Sequence, residues 1–571
     1  MPNFNFDKEI SLVIAGEAGQ GIDTITQVVA ETIKKNGFNV FYTKEYMSRI
    51  KGGCNSSTII ISNDRVCAYK ENPDFIFAIS KDAIKHLEDR ISYSTIIIYE
   101  YDDPESIEKF GNKIKIDFSS ISKELGGDIY QNTLISGIIT GILNIDLTTL
   151  ESNIKQIFSE KNEEVIEKNL QASIKGYEIG KNLVKEKNIS VSIKKNNSVK
   201  NEILINGNDS AALGCIAGGV DFISSYPMSP STGILTFLAK HSSEFNILVE
   251  QAEDEIAAIN MGLGAWYAGS RAMTTTSGGG FALMCEAVSL SGMTEIPMVI
   301  YLGQRPGPAT GLPTRTEQSD LNLVLYAGHG EFPRIILTPG NLEDNFYLAQ
   351  KAFNLADKFQ VPVFILSDQY LADSCYNTKA FNIENTELIE YIEETPSDYK
   401  RYKLTKNGIS PRGIPNWGEG LVIVDSDEHD ETGHITEDFD IRTKMVNKRM
   451  TKLNLIIDEA ILPDFLGDKN TKILIIGWGS TYQAIKEALK EINNPEIGFL
   501  YFKQVYPLNK KVLDYFKNIQ KIICVENNYT GQFANLLKLE LNITVDERIL
   551  KYNGLTFSVE ELILKINEVI K

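Results

Sequence analysis

Residues 247–287, ILVEQAEDEIAAINMGLGAWYAGSRAMTTTSGGGFALMCEA, decide the fold class: two strand-like runs, ILVE and RAMTTT, bracket a helix-like segment, and a glycine turn leads into a second one. Small residues recur along the first helix, Ala257, Ala258, Gly262, Gly264 and Ala265, and permit close packing against its neighbours. Strand, crossover helix and strand in this order predict a parallel sheet covered on both faces. The alternation repeats outward in ISLVIAG, STIIIS, FIFAIS, STIIIYE, PMVIYLG, VPVFILSD, KILIIG and KIICVE. The chain therefore reads as α/β, with three doubly wound, mostly parallel-sheet domains.

Two shifts in composition divide it. Residues 183–203, LVKEKNISVSIKKNNSVKNEI, are rich in Lys, Asn and Ser, as a linker is, and residues 396–455 form a longer polar connecting segment. The expected domains are therefore 1–182, 204–395 and 456–571. A length of 571 residues is ample for cores of that number, and a formal net charge of −19 argues against nucleic acid or an anionic membrane as a partner. No apolar run reaches the roughly eighteen residues of a membrane span, and MPNFNFDKEISLVIAGEAGQG lacks a charged leader with a signal-type core, so a cytoplasmic location is expected. The six cysteines, Cys54, Cys67, Cys215, Cys285, Cys375 and Cys524, include no CxxC pair. An iron–sulfur cluster would have to sit on another chain, and no metal site is expected on this one.

In an open parallel sheet, ligands bind beyond the carboxyl ends of the strands. Four polar loops fall at such ends and should converge: SYPMSPST (225–232), VEQAEDE (249–255), TTTSGGG (274–280) and GQRPGPATG (303–311). Acidic residues at a helix start favour its dipole, so Glu253, Asp254 and Glu255 each have a structural reason as well as a chemical one. Glycines at 278–280 let a flat ligand or a partner chain come close to the backbone. In the first domain Gly16-Glu17-Ala18-Gly19-Gln20-Gly21 joins a strand to a helix, with GxxGxG rather than dinucleotide spacing, so it reads equally as a tight turn or a phosphate cradle. Arg49 and Lys51 beside Gly52-Gly53 read as a solvated basic loop or an anion-contacting one. His429 and His434, with Glu431 and Glu437 nearby, look like metal ligands on paper but fall in the polar joint, where a segment-ordering role is expected.

Taken as an ordered set, SYPMSPST, EQAEDEIAAINMGLGAWYAG, TTTSGGG, QRPGPATGLPTRTEQSDL, HDETGHITED and MVNKRMTK resemble the alpha subunit of the 2-oxoacid:ferredoxin oxidoreductases, in the form with the gamma domain fused at the N-terminus. GEAGQG and SRIKGG resemble that gamma domain (1–182), the middle region resembles the pyrimidine-binding domain (204–395), and GWGSTYQAIKEAL with VENNYTGQFA resembles the transketolase C-terminal-like domain (456–571). The resemblance implies thiamine diphosphate chemistry: oxidative decarboxylation of a 2-oxoacid, electrons to ferredoxin and the acyl group to coenzyme A. A separate beta subunit is implied to bring Mg2+ and a [4Fe-4S] cluster; consistently, this chain has no GDG and no paired cysteines.

By the same resemblance Glu253 is the catalytic and cofactor-binding glutamate. It contacts the pyrimidine ring, whose imino nitrogen then deprotonates the thiazolium carbon. Gly278 and Gly279 are implied at the cofactor. Ser229, flanked by Tyr226, Pro227 and Pro230, offers a hydroxyl to the substrate, with Met228-Ser229 in place of the commoner isoleucine-threonine, and Arg305 pairs with the 2-oxoacid carboxylate through its planar fork. The fused architecture and TRTEQSDL point to 2-oxoglutarate, with Arg315 in reach of a distal carboxylate. Branched-chain, aryl or mixed 2-oxoacids remain alternatives, as does a non-catalytic assembly subunit, although Glu253 and Arg305 are both present.

Overall fold

The computed structural model describes residues 4–48, 53–101, 107 and 109–570. The chain forms two compact units, Met1–Asn206 with Asp373–Ala380 and Ser558–Glu560, and Gly207–Ala372 with Phe381–Phe557 and Glu561–Lys571.

The first unit is built on an eight-stranded sheet in the order Lys113–Lys115, Ile96–Tyr99, Phe75–Ala78, Glu9–Glu17, Cys54–Ser62, Asn39–Glu45, Cys375–Thr378, Ile203–Asn206. Its first four strands pair in parallel, and the remaining pairings are antiparallel. The strand Glu9–Glu17 is buried along seven consecutive residues because both faces are covered, as a continuous apolar run requires. Residues 183–203 are regular here: the helix Glu163–Glu186 runs into them, and the strand Ile189–Val191 and the 3-10 turn Asn197–Asn201 follow. Their polar composition is that of an exposed helix end and of caps, such as the Asn196 side chain accepting from the Ser198 amide at 3.1 Å.

The second unit holds a seven-stranded sheet ordered Leu248–Gln251, Phe222–Ser225, Ala272–Thr276, Met298–Gln304, Pro362–Asp368, Ile335–Leu337, Gln504–Tyr506, parallel except at the last pairing. The chain winds outward from Phe222–Ser225 to Leu248–Gln251 and then returns to the other side at Ala272–Thr276. The switch point of the sheet therefore lies between Phe222–Ser225 and Ala272–Thr276. A five-stranded sheet in the same unit, Asp464–Leu466, Ile497–Phe502, Ile473–Trp478, Lys521–Glu526, Glu547–Leu550, is parallel except at its first pairing. The three larger sheets are interleaved with helices, so the fold is the α/β type that the alternation of runs predicts.

The polar segment from 396 onward ends in the helix Phe439–Glu459, which turns three basic residues, Lys448, Arg449 and Lys452, inward. Lys448 and Lys452, both buried, place their Nζ atoms 2.6 and 2.5 Å from the two carboxylate oxygens of Glu295. Arg401 donates to the Glu295 carbonyl at 2.6 Å and to Gln360 Oε1 at 2.8 Å. The lysines hold the buried Glu295 carboxyl far below the usual carboxylate range, against the opposing pull of burial. His429 is fully buried with its ring centroid 3.8 Å from that of Tyr402 and Nδ1 2.9 Å from the Asp427 carbonyl, whereas His434 is exposed, so the pair does not converge on one point. No helix among the described residues is long and apolar enough to cross a membrane.

Candidate active site

The switch point is tied together by hydroxyls. Ser225 Oγ accepts from the Thr275 amide at 2.8 Å and lies 3.0 Å from Thr275 Oγ1, locking the ends of the two strands. SYPMSPST leaves the sheet here. Tyr226 is 40% exposed, Pro227 and Ser229 are half-buried, and Ser231 Oγ donates to the Met228 carbonyl at 3.0 Å. Pro230 packs on Gly303 so closely that a Cβ there would come within 2.6 Å of its Cγ. The loop is thus braced by local contacts before any ligand is considered.

Arg305 follows the strand Met298–Gln304 and turns back to SYPMSPST, donating from Nη1 to the Ser229 carbonyl at 3.1 Å. Burial pulls the Arg305 guanidinium below its ordinary value, and the charge of Asp320 partly restores it. Asp320 itself is pushed up to about 7, first by burial and then by Glu317, while Arg305 acts in the opposite sense.

The three consecutive carboxylates separate by a simple rule of helix starts. Asp254 has extended backbone angles and caps the helix Glu255–Tyr267, its Oδ1 accepting from the Ala257 amide at 2.7 Å. The residue before the cap, Glu253, is exposed, and the residue after it, Glu255, is 6% exposed in the first turn. The Glu255 carboxylate occupies the space beside Gly280, where a Cβ would meet its Oε1 at 2.4 Å and Thr276 Oγ1 at 2.3 Å.

The glycine turn makes room for a second acid as well: a Cβ on Gly278 would lie 2.4 and 2.6 Å from the two carboxylate oxygens of Asp320. Gly279, between them, faces open space, with the Ala309 carbonyl at 3.6 Å as its nearest neighbour. Of the four loops the sequence places on this rim, all four meet at the switch point. They bring together Ser229, Arg305, Gly278 and Gly279 with Glu255, which the sequence did not set apart from its two acidic neighbours, and with Asp320, which it did not single out, whereas the Glu253 side chain stays exposed. Asp320 Oδ2, Ser277 Oγ and Ser367 Oγ are buried at these strand ends without a hydrogen-bond partner among the described residues.

In the other unit, the GEAGQG turn leads into the helix Ile22–Lys35 through Gly21 at φ 74°, and Gln20 folds back so that its Oε1 accepts from the Glu17 amide at 2.7 Å. A cleft of about 510 Å³ beside it is lined by Glu17, Asp23, Glu45 and Asp373, with Lys44 paired to Asp23 at 3.1 Å. Among the described residues, acids outnumber the lysine there. Arg49, Lys51 and Gly52 lie outside the described residues.

Comparison with known proteins points in one direction. The family described as "Pyruvate flavodoxin/ferredoxin oxidoreductase, thiamine diP-bdg" matches residues 213–448, and "Pyruvate ferredoxin/flavodoxin oxidoreductase" matches residues 11–179. The chain is 32% identical to the 2-oxoacid:ferredoxin oxidoreductase subunit alpha of a Sulfolobus species, over 98% of this chain and 97% of that one. It is 31% identical to the 2-oxoglutarate synthase subunit KorA of Archaeoglobus fulgidus, over 58% of this chain and 88% of the relative. Among solved structures, the 2-oxoglutarate:ferredoxin oxidoreductase from Magnetococcus marinus, with 2-oxoglutarate, coenzyme A and succinyl-CoA bound, superimposes with a TM-score of 0.92 at 32% identity, covering 99% of this chain and 100% of that one.

Proposed function

The chain belongs to the 2-oxoacid:ferredoxin oxidoreductase alpha subunits, and from that premise we propose that its own reaction is the oxidative decarboxylation of 2-oxoglutarate to succinyl-CoA and CO2, with electrons passing to ferredoxin. The observation that carries this reading is the meeting of a buried carboxyl, Glu255, and an arginine with unused donors, Arg305, at the switch point of a parallel sheet. The choice of 2-oxoglutarate over other 2-oxoacids is supported by the KorA relatives and by the structure similar along the whole chain.

The residues at the switch point fit thiamine diphosphate. The glycine turn holds a buried carboxyl, Glu255, beside Gly280 and a buried hydroxyl without a partner among the described residues, Ser277 Oγ, and both suit the nitrogens of an aminopyrimidine, which donate and accept. Thiamine diphosphate supplies a nucleophilic carbon for the keto group and a sink for the electrons released with CO2.

Within this chain, Glu255 rather than Glu253 takes the pyrimidine contact, because an exposed carboxylate shares its proton with water while a buried one shares it with the ring. Arg305 receives the carboxylate next to the keto group on its free N–H fork, and the Ser229 hydroxyl, set by the bond from Arg305 to its own carbonyl, lies beside that carboxylate. Tyr226 and Pro227 form the wall of the loop, and Gly279 leaves the turn open toward the ligand side. Mg2+, the diphosphate site and a [4Fe-4S] cluster belong to a beta subunit, and coenzyme A is the acyl acceptor. In the same reading residues 1–182 are the gamma-type domain, 204–395 the pyrimidine-side domain and 456–571 the transketolase C-terminal-like domain.

The test is to co-express the chain with its natural beta partner and to assay 2-oxoglutarate, pyruvate and branched 2-oxoacids with coenzyme A and a viologen acceptor. Preference for 2-oxoglutarate supports the reading, and preference for another 2-oxoacid replaces the substrate. In the same complex Glu255→Gln should lower kcat by about 10²–10⁴-fold, the usual worth of a general acid–base group, while Glu253→Gln stays within a few-fold of wild type. The reverse pattern returns the role to Glu253.

A further inference from the structure

Asp320 has no part in the chemistry above, yet it is built into the same rim. Its backbone amide donates to Gln304 Oε1 at 3.1 Å, fixing the residue at the end of the strand that carries Arg305. Its carboxylate fills the notch left by the missing side chain of Gly278, and its Oδ2 is buried without a hydrogen-bond partner among the described residues. Arg305 makes one hydrogen bond among those residues, to the Ser229 carbonyl, so most of its fork has no protein acceptor. The charged groups that bear on Asp320 are Arg305 and Glu317, both from the loop after the strand; the glycine turn contributes backbone alone, and Gln304 is uncharged.

We propose that Asp320 is a positioning residue that sets how Arg305 receives a substrate carboxylate: uncharged, it leaves the guanidinium to the incoming 2-oxoacid, and ionised, it competes for that guanidinium and repels the substrate. This rests on the reading of Arg305 as the receiver of the 2-oxoacid carboxylate. The direction follows from the site. Burial and the neighbouring Glu317 favour the neutral carboxyl, which gives way to the anion as pH rises through about 7. If only the uncharged form admits substrate, the apparent affinity falls with the competent fraction, by about 20-fold between pH 6.5 and 8.5.

The experiment measures KM and kcat for 2-oxoglutarate from pH 6 to 9, at saturating coenzyme A, on the complex of this chain with its co-expressed partner, for wild type and Asp320→Asn. The expected result is a wild-type KM that rises above pH 7 by about that factor, and a KM that is flat with pH in Asp320→Asn. Parallel KM profiles in the two proteins, or a variant altered in kcat alone, overturn the proposal. Should Asp320→Asn fail to assemble, titration of the wild-type complex with 2-hydroxyglutarate, a dicarboxylate that is not decarboxylated, in two buffers of different ionisation heat decides the matter. Proton uptake near one per site at pH 8 and near none at pH 6 is expected, and equal uptake at both refutes it. Turnover with no 2-oxoacid at all instead refutes the function proposed above and takes this inference with it.

Discussion

Alanine placed at each glycine of the turn in succession tests whether these residues exist to house carboxyls. At Gly280 the new methyl would begin 2.3 Å from Thr276 Oγ1 and 2.4 Å from Glu255 Oε1, and at Gly278 it would begin 2.4 Å from Asp320 Oδ2. Both distances are well inside contact, so a buried acid must move in each case. At Gly279 the nearest atom is 3.6 Å away, an ordinary contact. All three lie in the helix Gly278–Leu283, and none has the positive φ that would penalise alanine. Helix propensity then favours each substitution by about 0.5–1 kcal/mol. Overpacking opposes it by about 1–3 kcal/mol at 278 and 280 and by little at 279. The melting order of the complexes is expected to be Gly279→Ala at or above wild type, with Gly278→Ala and Gly280→Ala below it. Gly280→Ala should also lose turnover by about 10²-fold or more, because its methyl displaces Glu255. Differential scanning fluorimetry and the viologen assay read both quantities. A Gly280→Ala complex that melts with wild type and keeps its turnover refutes the reasoning, as does one in which Gly279→Ala is the least stable of the three.

Arg305→Lys keeps the charge and loses the fork, so kcat/KM should fall about ten- to a hundredfold for 2-oxoglutarate and for 2-oxobutyrate alike; a loss confined to 2-oxoglutarate would move Arg305 to the distal carboxylate. Glu295→Gln leaves Lys448 and Lys452 buried without their carboxylate, and a loss of about 3–5 kcal/mol in denaturant unfolding is expected, partly restored by adding Lys452→Met. Burial pushes the Asp74 carboxyl up to about 6 although it accepts from the Ser11 amide at 2.8 Å, so the folded state binds the extra proton between about pH 4 and 6 and stability falls as pH rises through that window. Asp74→Asn should therefore gain on the order of 2 kcal/mol at pH 7.5 and almost nothing at pH 3.5, and equal gains at both would refute the account.

The parallel sheet of the second unit was legible because its central strands are buried on both faces and announce themselves as unbroken apolar runs, as MVIYLGQ does at Met298–Gln304. The rim was legible for the same reason: once the strands are known, their carboxyl ends are known. Within the rim, Glu253, Asp254 and Glu255 could not be told apart by composition, and it is the extended backbone at Asp254 that turns one outward and the next inward. Asp320 left no signal either, since an acid before a short helix is commonplace and its meaning comes from Gly278, which is distant in sequence. The helix Phe439–Glu459 hid behind its own chemistry: Lys448 and Lys452 look like solvent-facing residues until Glu295 is brought to them. In the first unit, a run of β-branched residues does not say which way its strand points, and the eight residues between Asn39–Glu45 and Cys54–Ser62 are few enough for an antiparallel return.

The strand Cys375–Thr378 sits in the sheet of the first unit between Asn39–Glu45 and Ile203–Asn206, pairing with both. A ribosome making about 5–20 residues per second delivers that strand roughly ten to thirty seconds after residue 206, and until then the two flanking strands have open backbone edges. Exposed edges of this kind recruit strands from other chains. The nascent protein therefore passes through an interval in which its first 206 residues are complete in sequence but not in hydrogen bonding. A truncated product ending there would keep that seam for good and should precipitate unless a strand is supplied in trans.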